Sequence, residues 1–147
     1  MKKGQAAMEF LMTYGWAILI VLLAIAALAY FGVLGPGKYI PSSCVLETGL
    51  ASTDFKVVGG VDSQITIYVR NGMGQDLRNF TLQVPGECNA TSTNLPVFKD
   101  GAEAKVTINC GSDILGSRIK ENILINYFSP NGMQHTKLGS ISARVEE

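Results

Sequence analysis

A stretch without any charged side chain runs from Phe10 to Gly37, and it constrains this chain more than any other feature of its sequence. The segment Phe10–Leu34 supplies 25 residues that are nearly all aliphatic, aromatic or small. A helix of that length rises about 37 Å, whereas a bilayer core about 30 Å thick needs roughly 20 apolar residues. Because the segment is apolar all round, we expect a helix that is buried in lipid or in a bundle of helices.

Basic residues at one end and helix-terminating residues at the other set the orientation and the limits of this helix. Lys2 and Lys3 precede the stretch, which places the N-terminus in the cytoplasm. Gly35-Pro36-Gly37 is expected to end the helix, since Pro cannot continue it. An ordinary secretory signal is the alternative, but its apolar core is shorter than this one. The predicted organisation is a helix over 5–36, a linker over 37–43 and an external domain over 44–147.

After residue 43 the apolar residues alternate with polar ones, which is the period of a half-buried strand. Turn signals such as Asn71-Gly72, Pro85-Gly86 and Asp100-Gly101 separate the alternating runs. Six or seven short strands at this spacing favour a small antiparallel, immunoglobulin-like β-sandwich. The fold class is therefore expected to be α+β. The clearest alternating runs are 54–58, 65–69, 80–84, 106–109, 123–126 and 141–145.

The three cysteines all follow the hydrophobic stretch, and an odd number leaves at least one of them unpaired within the chain. Cys88 and Cys110 flank the Asp100-Gly101 turn, and a disulfide between them would close a loop of about 22 residues and contribute about 3 kcal/mol. The alternatives are two unpaired thiols, or a bond in which Cys44 replaces one of the two. Cys44 otherwise has no evident partner.

Two tripeptides fit the acceptor pattern for N-glycosylation. Asn79 begins the first, Asn79-Phe80-Thr81, and Asn89 begins the second, Asn89-Ala90-Thr91. Each match alone is weak, because the pattern is common. Together with the cysteines, they favour an external location for this part of the chain.

Composition and motifs argue against an enzyme or a nucleic-acid-binding protein. Lys and Arg number 12 and Asp and Glu 12, without a basic stripe, so no nucleic acid is expected as a partner. His135 is the only histidine, and no paired carboxylates form an acid–base pattern, so neither a metal site nor a cofactor is expected. The segment Gly32–Tyr39 almost fits a phosphate-binding loop, but Tyr39 stands where Ser or Thr is needed.

The residues before the apolar stretch form the most specific motif of the chain. Two lysines, a glycine and a lone glutamate precede it in the segment Lys2-Lys3-Gly4-Gln5-Ala6-Ala7-Met8-Glu9-Phe10. The first 40 residues resemble archaeal type IV pilins with a class III signal peptide. The resemblance implies a leader over 1–4 that a prepilin peptidase removes between Gly4 and Gln5. It also implies that Glu9 occupies the fifth position of the mature chain.

Such a subunit would wait in the membrane as a single-pass precursor and then enter an extracellular, helical filament of identical subunits. A pilus assembly ATPase and a membrane platform protein are the further partners that the resemblance implies, and surface adhesion is the implied use. In the filament, Glu9 would pair with the α-amino group of Gln5 of a neighbour and fix the axial offset. The alternative is that Glu9 is solvated among lipid headgroups. A membrane-tethered binding module and a minor pilin are the alternative functions.

Overall fold

The computed structural model describes residues 2–33, 35, 39–111, 114 and 116–147. The chain divides into two compact units, Met1–Ile40 and Pro41–Glu147. The first contains one helix, α1 (Lys2–Tyr30), and the second, called the β unit here, contains the strands of one mostly antiparallel sheet. The α+β class is therefore confirmed.

Helix α1 ends earlier than the sequence predicts, at Tyr30 rather than at residue 36. The reason is Gly32, whose φ of 69° is in the left-handed region. The Gly32 N–H donates to the Ala29 carbonyl at 3.0 Å, and the Val33 N–H donates to the Leu28 carbonyl at 3.1 Å. This pair of bonds is the Schellman motif, which closes a helix and which Gly favours. Pro36 and Gly37, which the prediction used, lie outside the described residues.

Nine strands are found among the described residues, whereas the alternating pattern predicted six or seven. The additional strands, β1, β5 and β6, have only three, two and four residues, too few for a period to show. The strands are β1 (Ser43–Val45), β2 (Leu50–Val58), β3 (Gln64–Asn71), β4 (Leu77–Val84), β5 (Ala90–Thr91), β6 (Leu95–Phe98), β7 (Glu103–Asn109), β8 (Arg118–Phe128) and β9 (Gln134–Glu146).

The strands follow one continuous path in the order β5-β4-β8-β9-β2-β3-β7, with β6 beside β4 and β1 beside β9. All pairings are antiparallel except the short one between β2 and β9, where Val57 and Val58 lie opposite Val145 and Glu146. Because this short pairing joins strands that a sandwich would assign to separate sheets, the sheet is closer to a barrel than to two independent layers.

Two places in this curled sheet have little strand pairing, and each is closed in a different way. The first place lies along β9. One edge of β9 pairs with β8, and the other edge pairs with β1 over one part and with β2 over another. We call this place the β9/β2 seam, and β1 fills part of it. The second lies between the two ends of the strand order. There a disulfide joins Cys88, in the connection between β4 and β5, to Cys110, which directly follows β7.

The core of the β unit consists of inward-facing apolar side chains from strands along the whole sheet order. Ile65 and Ile67 of β3 and Ile123 and Ile125 of β8 are fully buried within it. Phe80 packs against Phe98 with ring centroids 5.1 Å apart. Each fully buried side chain of this size contributes about 1.5–3 kcal/mol relative to its exposure. Burial of one side of β3 and of β8 therefore determines which residues of these strands face outward.

Candidate functional site

The residues of the predicted processing site lie in regular helix at the start of α1. Gly4, Gln5 and Glu9 are all exposed, and a Cβ on Gly4 would meet nothing within 4 Å. Gln5 and Glu9 are four residues apart and so lie on the same side of the helix. The Thr13 hydroxyl donates a 2.9 Å hydrogen bond to the Glu9 carbonyl, so the glutamate belongs to a continuous helical segment.

From Phe10 onward the surface of α1 is apolar on every side, and no residue of the helix is buried. Trp16, for example, is 66% exposed. The helix is long and apolar enough to span a membrane. An exposed surface of this kind is unfavourable in water, because it leaves large aliphatic side chains hydrated. A lipid bilayer or other apolar helices must therefore cover it.

Aromatic side chains cluster near both ends of the apolar part of α1. Phe10 and Tyr14 have ring centroids 5.0 Å apart, and Tyr30 and Phe31 have centroids 5.6 Å apart. From residue 14 to residue 30 the helix rises about 24 Å. Tyr14 and Tyr30 at this separation suit the two polar–apolar interfaces of a bilayer, where the amphipathic ring of tyrosine is an anchor.

The start of the β unit is held to β8 and β9 by side chains that the sequence analysis did not identify. The Arg118 guanidinium donates to the Pro41 carbonyl at 2.7 Å and to the Ser142 hydroxyl at 3.1 Å. The Arg144 backbone N–H donates to the Ser42 hydroxyl at 3.3 Å. The contacts of Pro41 and Ser42 join residues 77 and 102 positions apart, so no local pattern in the sequence predicts them. They fix the chain at the point where it enters the sheet.

The cysteines are arranged as one disulfide and one free thiol. Cys88 and Cys110 are bonded, with their Cα atoms 4.5 Å apart. Cys44, in β1, is free and partly buried next to Ser52. Burial raises the pKa of the Cys44 thiol above its ordinary value, and the hydrogen bond with Ser52 opposes this effect. A thiol in such surroundings is a poor nucleophile at neutral pH.

The two candidate glycosylation residues share an unusual backbone conformation. Asn79 and Asn89 are both exposed, and they are the non-glycine residues of the described chain with positive φ, 49° and 40°. Asn adopts this conformation more readily than other residues with a side chain. Asn79 also lies at a register shift in β4, and its side-chain oxygen accepts a bond from Asn94 at 3.4 Å. The backbone therefore supplies a reason for asparagine at both positions that is independent of any glycan.

His135 has a structural environment in the β8–β9 hairpin. Its ring stacks on Tyr127 with centroids 5.1 Å apart, and its Nε2 lies 3.3 Å from the Ser129 hydroxyl. Within the described residues, no three side chains of His, Cys, Asp or Glu are placed together as they would be to hold a metal ion.

A comparison with protein-family models gives no match for this chain, and a comparison with curated proteins gives none either.

Proposed function

We propose that this chain is the structural subunit of a type IV pilus of the archaeal kind. A prepilin peptidase removes residues 1–4, and the mature chains associate through α1 into a filament that carries the β unit on its outside. Surface adhesion is the proposed use, and the proposed location is the cell exterior after a membrane-bound precursor stage. The observation that carries the proposal is α1 itself, a helix of 29 residues without a buried residue, whose surface is apolar all round from Phe10 onward.

The first turns of α1 supply the second support. A glycine, a glutamine and a glutamate precede the apolar surface in the order that resembles a pilin precursor. Glu9 is a single carboxylate beside an apolar surface, and burial of an unpaired charge costs several kcal/mol. Cleavage before Gln5 creates an α-amino group that is cationic below a pKa of about 8. A neighbour's new N-terminus is thus the partner that Glu9 needs when helices bundle.

The proposal includes an immunoglobulin-like plan for the β unit. In its support, the inner faces of β2-β3-β7 and of β4-β8-β9 pack over one core, as two layers of a sandwich do. The parallel pairing of Val57 with Val145 would then be a local link between the layers.

Glycosylation at Asn79 and Asn89 also belongs to the proposal. Phe80 is fully buried and Thr81 pairs with Asn126, so the first acceptor tripeptide is part of the sheet. Thr81→Val and Thr91→Val would remove the acceptor patterns while keeping both asparagines in place. The proposed glycans predict that each variant loses one glycan mass in intact-protein mass spectrometry. Unchanged masses would contradict modification at these positions.

N-terminal sequencing of the protein from its own cells tests the processing step. A chain that begins at Gln5 supports the proposal, and a chain that retains Gly4 contradicts it. Filament preparation then separates the alternatives. A tethered binding module would remain in the membrane fraction, and a minor pilin would be sparse along the shaft rather than its main component.

Glu9→Gln tests the pairing role, with Thr13→Val as the matched control. Both substitutions lie on one side of the first helical turns, and only the first removes a charge. We expect the Glu9 variant to be cleaved but to form few filaments, while the Thr13 variant assembles normally. Normal filaments from the Glu9 variant would show that the carboxylate is simply solvated.

A further inference from the structure

One outer face of the curled sheet lacks charge. The outward residues of β4, β8 and β9 form two adjacent cross-strand rows, as the pairings of Gln83 with Leu124 and of Leu124 with Leu138 show for the first row. These two rows hold six uncharged side chains, which we call the uncharged flank: Gln83, Leu124, Leu138, Thr81, Asn126 and Thr136. Leu138, on β9, is 64% exposed.

The face extends beyond these two rows before a charge is reached. In the next row Asn122 lies opposite Ser140, and Ser140 also lies opposite Val45, which is 59% exposed. Lys120 follows in the row after that, and Arg78 lies beyond the other side of the flank. Three rows on four strands cover about 20 Å by 20 Å, or about 400 Å².

The opposite outer face, on β2, β3 and β7, has a different character. There Arg70 lies opposite Glu103, and Tyr68 lies between Asp54 and Lys105. All four of these charged residues are exposed. The lack of charge on the uncharged flank is therefore not a general property of the outer surface of this sheet. The cores of protein interfaces are depleted in charge, because a charge must give up its hydration there.

We infer that the uncharged flank is a contact surface for a second copy of this chain within the filament, an inference that rests on the proposed function. Its amide and hydroxyl groups each offer both a donor and an acceptor, so they can bond to uncharged groups of a neighbour. Leu138 and Leu124 supply the apolar centre of the contact.

The area of the flank and the adjoining row together indicates which partner this face fits. A stable pair of free proteins buries about 800 Å² on each partner, roughly twice the area available here. The flank is therefore too small to hold two free copies together. Copies that α1 already holds side by side have a high effective concentration, and a small contact then suffices. The contact would add to the helix bundle and would not replace it.

Leu138→Glu tests this contact, with Tyr68→Glu as the matched control on the charged face. Both side chains are exposed, Tyr68 at 37%, so both variants are expected to keep the fold. Purified filaments are heated, and the fraction of subunits remaining assembled is measured by sedimentation. We expect the Leu138 variant to leave about tenfold less assembled protein than wild type, which corresponds to about 1.4 kcal/mol per subunit. The Tyr68 variant should match wild type.

Ser140→Glu is the second test, in case the Leu138 variant fails to fold as judged by circular dichroism. It places a charge on the same face at an exposed position. Equal assembly of wild type and of the Leu138 and Ser140 variants would overturn the inference and leave the proposed function intact. Normal assembly with loss of surface adhesion would also overturn it, since the flank would then bind a target. If wild type forms no filaments, the proposed function itself fails.

Discussion

The carboxylate of Glu121 lies where a side chain on Gly86 would be, since a Cβ on Gly86 would overlap both carboxylate oxygens. The same carboxylate accepts a 2.9 Å hydrogen bond from the backbone N–H of Glu87. Glu121 belongs to β8, and residues 86 and 87 belong to the turn that leads from β4 to Cys88. One side chain thus holds the turn that carries half of the disulfide.

Gly86→Ala should displace this carboxylate. We expect a loss of about 1 kcal/mol in the free energy of unfolding, because the flexible end of Glu121 can move aside but then gives up its hydrogen bond from the Glu87 N–H. In a Glu121→Ala background the same substitution should cost much less, since the space is then empty. Urea unfolding of the four proteins in detergent, followed by circular dichroism of the strands, measures the difference. Equal costs in both backgrounds would show that the two residues do not interact.

The disulfide should stabilise the β unit by linking both ends of its strand order. We expect Cys88→Ala with Cys110→Ala to lower the free energy of unfolding by about 3 kcal/mol. Hydrogen exchange should rise first in β5 and β7, the two strands that end the sheet order. Cys44→Ala is the control, because it removes a sulfur without removing a link. Unchanged exchange in β7 would show that side-chain packing alone closes the sheet there.

Gly32 should determine where α1 ends. We expect Gly32→Ala to weaken the two closing hydrogen bonds by about 1 kcal/mol, because alanine disfavours a φ of 69°. Carbon chemical shifts of Phe31 and Val33, measured by NMR in micelles, should then move toward helical values. Gly15→Ala is the matched control in the middle of the helix, where the shifts of residues 31 and 33 should not change. Identical shifts in the Gly32 variant would contradict this assignment of the helix end.

The free thiol should make stability depend on alkaline pH. Burial raises the pKa of folded Cys44 above the unfolded value of 9.0, so the unfolded chain loses its proton first. The stability contributed by this difference is fully present below pH 9.0 and is lost as the pH rises through the folded pKa. We therefore expect the wild-type free energy of unfolding to decline more than that of Cys44→Ala over this range. Denaturant unfolding at several pH values measures both.

The same pKa predicts slow alkylation of Cys44. At pH 8 the folded protein holds less thiolate than the unfolded chain, so iodoacetamide should label it more slowly. Labelling in guanidinium, with the disulfide intact, supplies the reference rate. Equal rates in both conditions would show that Cys44 is as exposed in the fold as in the unfolded chain.

The class of the fold was predictable because it depends on patterns that neighbouring residues carry. The apolar run predicts a long helix, and the alternation over residues 65–69 predicts the buried face of β3. The short strands β1 and β5 were not predictable, since two or three residues show no period. The curvature that brings β9 beside β2 depends on contacts such as Val57 with Val145, which lie far apart in sequence.

The same distinction applies to the candidate sites. The processing motif around Gly4 is contiguous, so the sequence alone suggests it. The helix end was misplaced, because Pro36 is a stronger terminating signal than Gly32 although Gly32 comes first along the chain. The bonds from Arg118 to Pro41 and the outer face around Leu138 result from strand register. Register is set by the whole sheet, and no short motif encodes it.

Strand β1 is the first strand of the β unit along the chain, and it fills a gap inside the sheet instead of extending a free edge. A pull on the chain before Pro41, directed along β1, would load the pairing of β1 with β9 as a whole, and the bond from Arg118 to Pro41 would share that load. Bonds strained in shear must break at once, whereas bonds at a peeling edge break singly. The first strand of the β unit is thereby attached to the sheet in a geometry that resists tension along the chain.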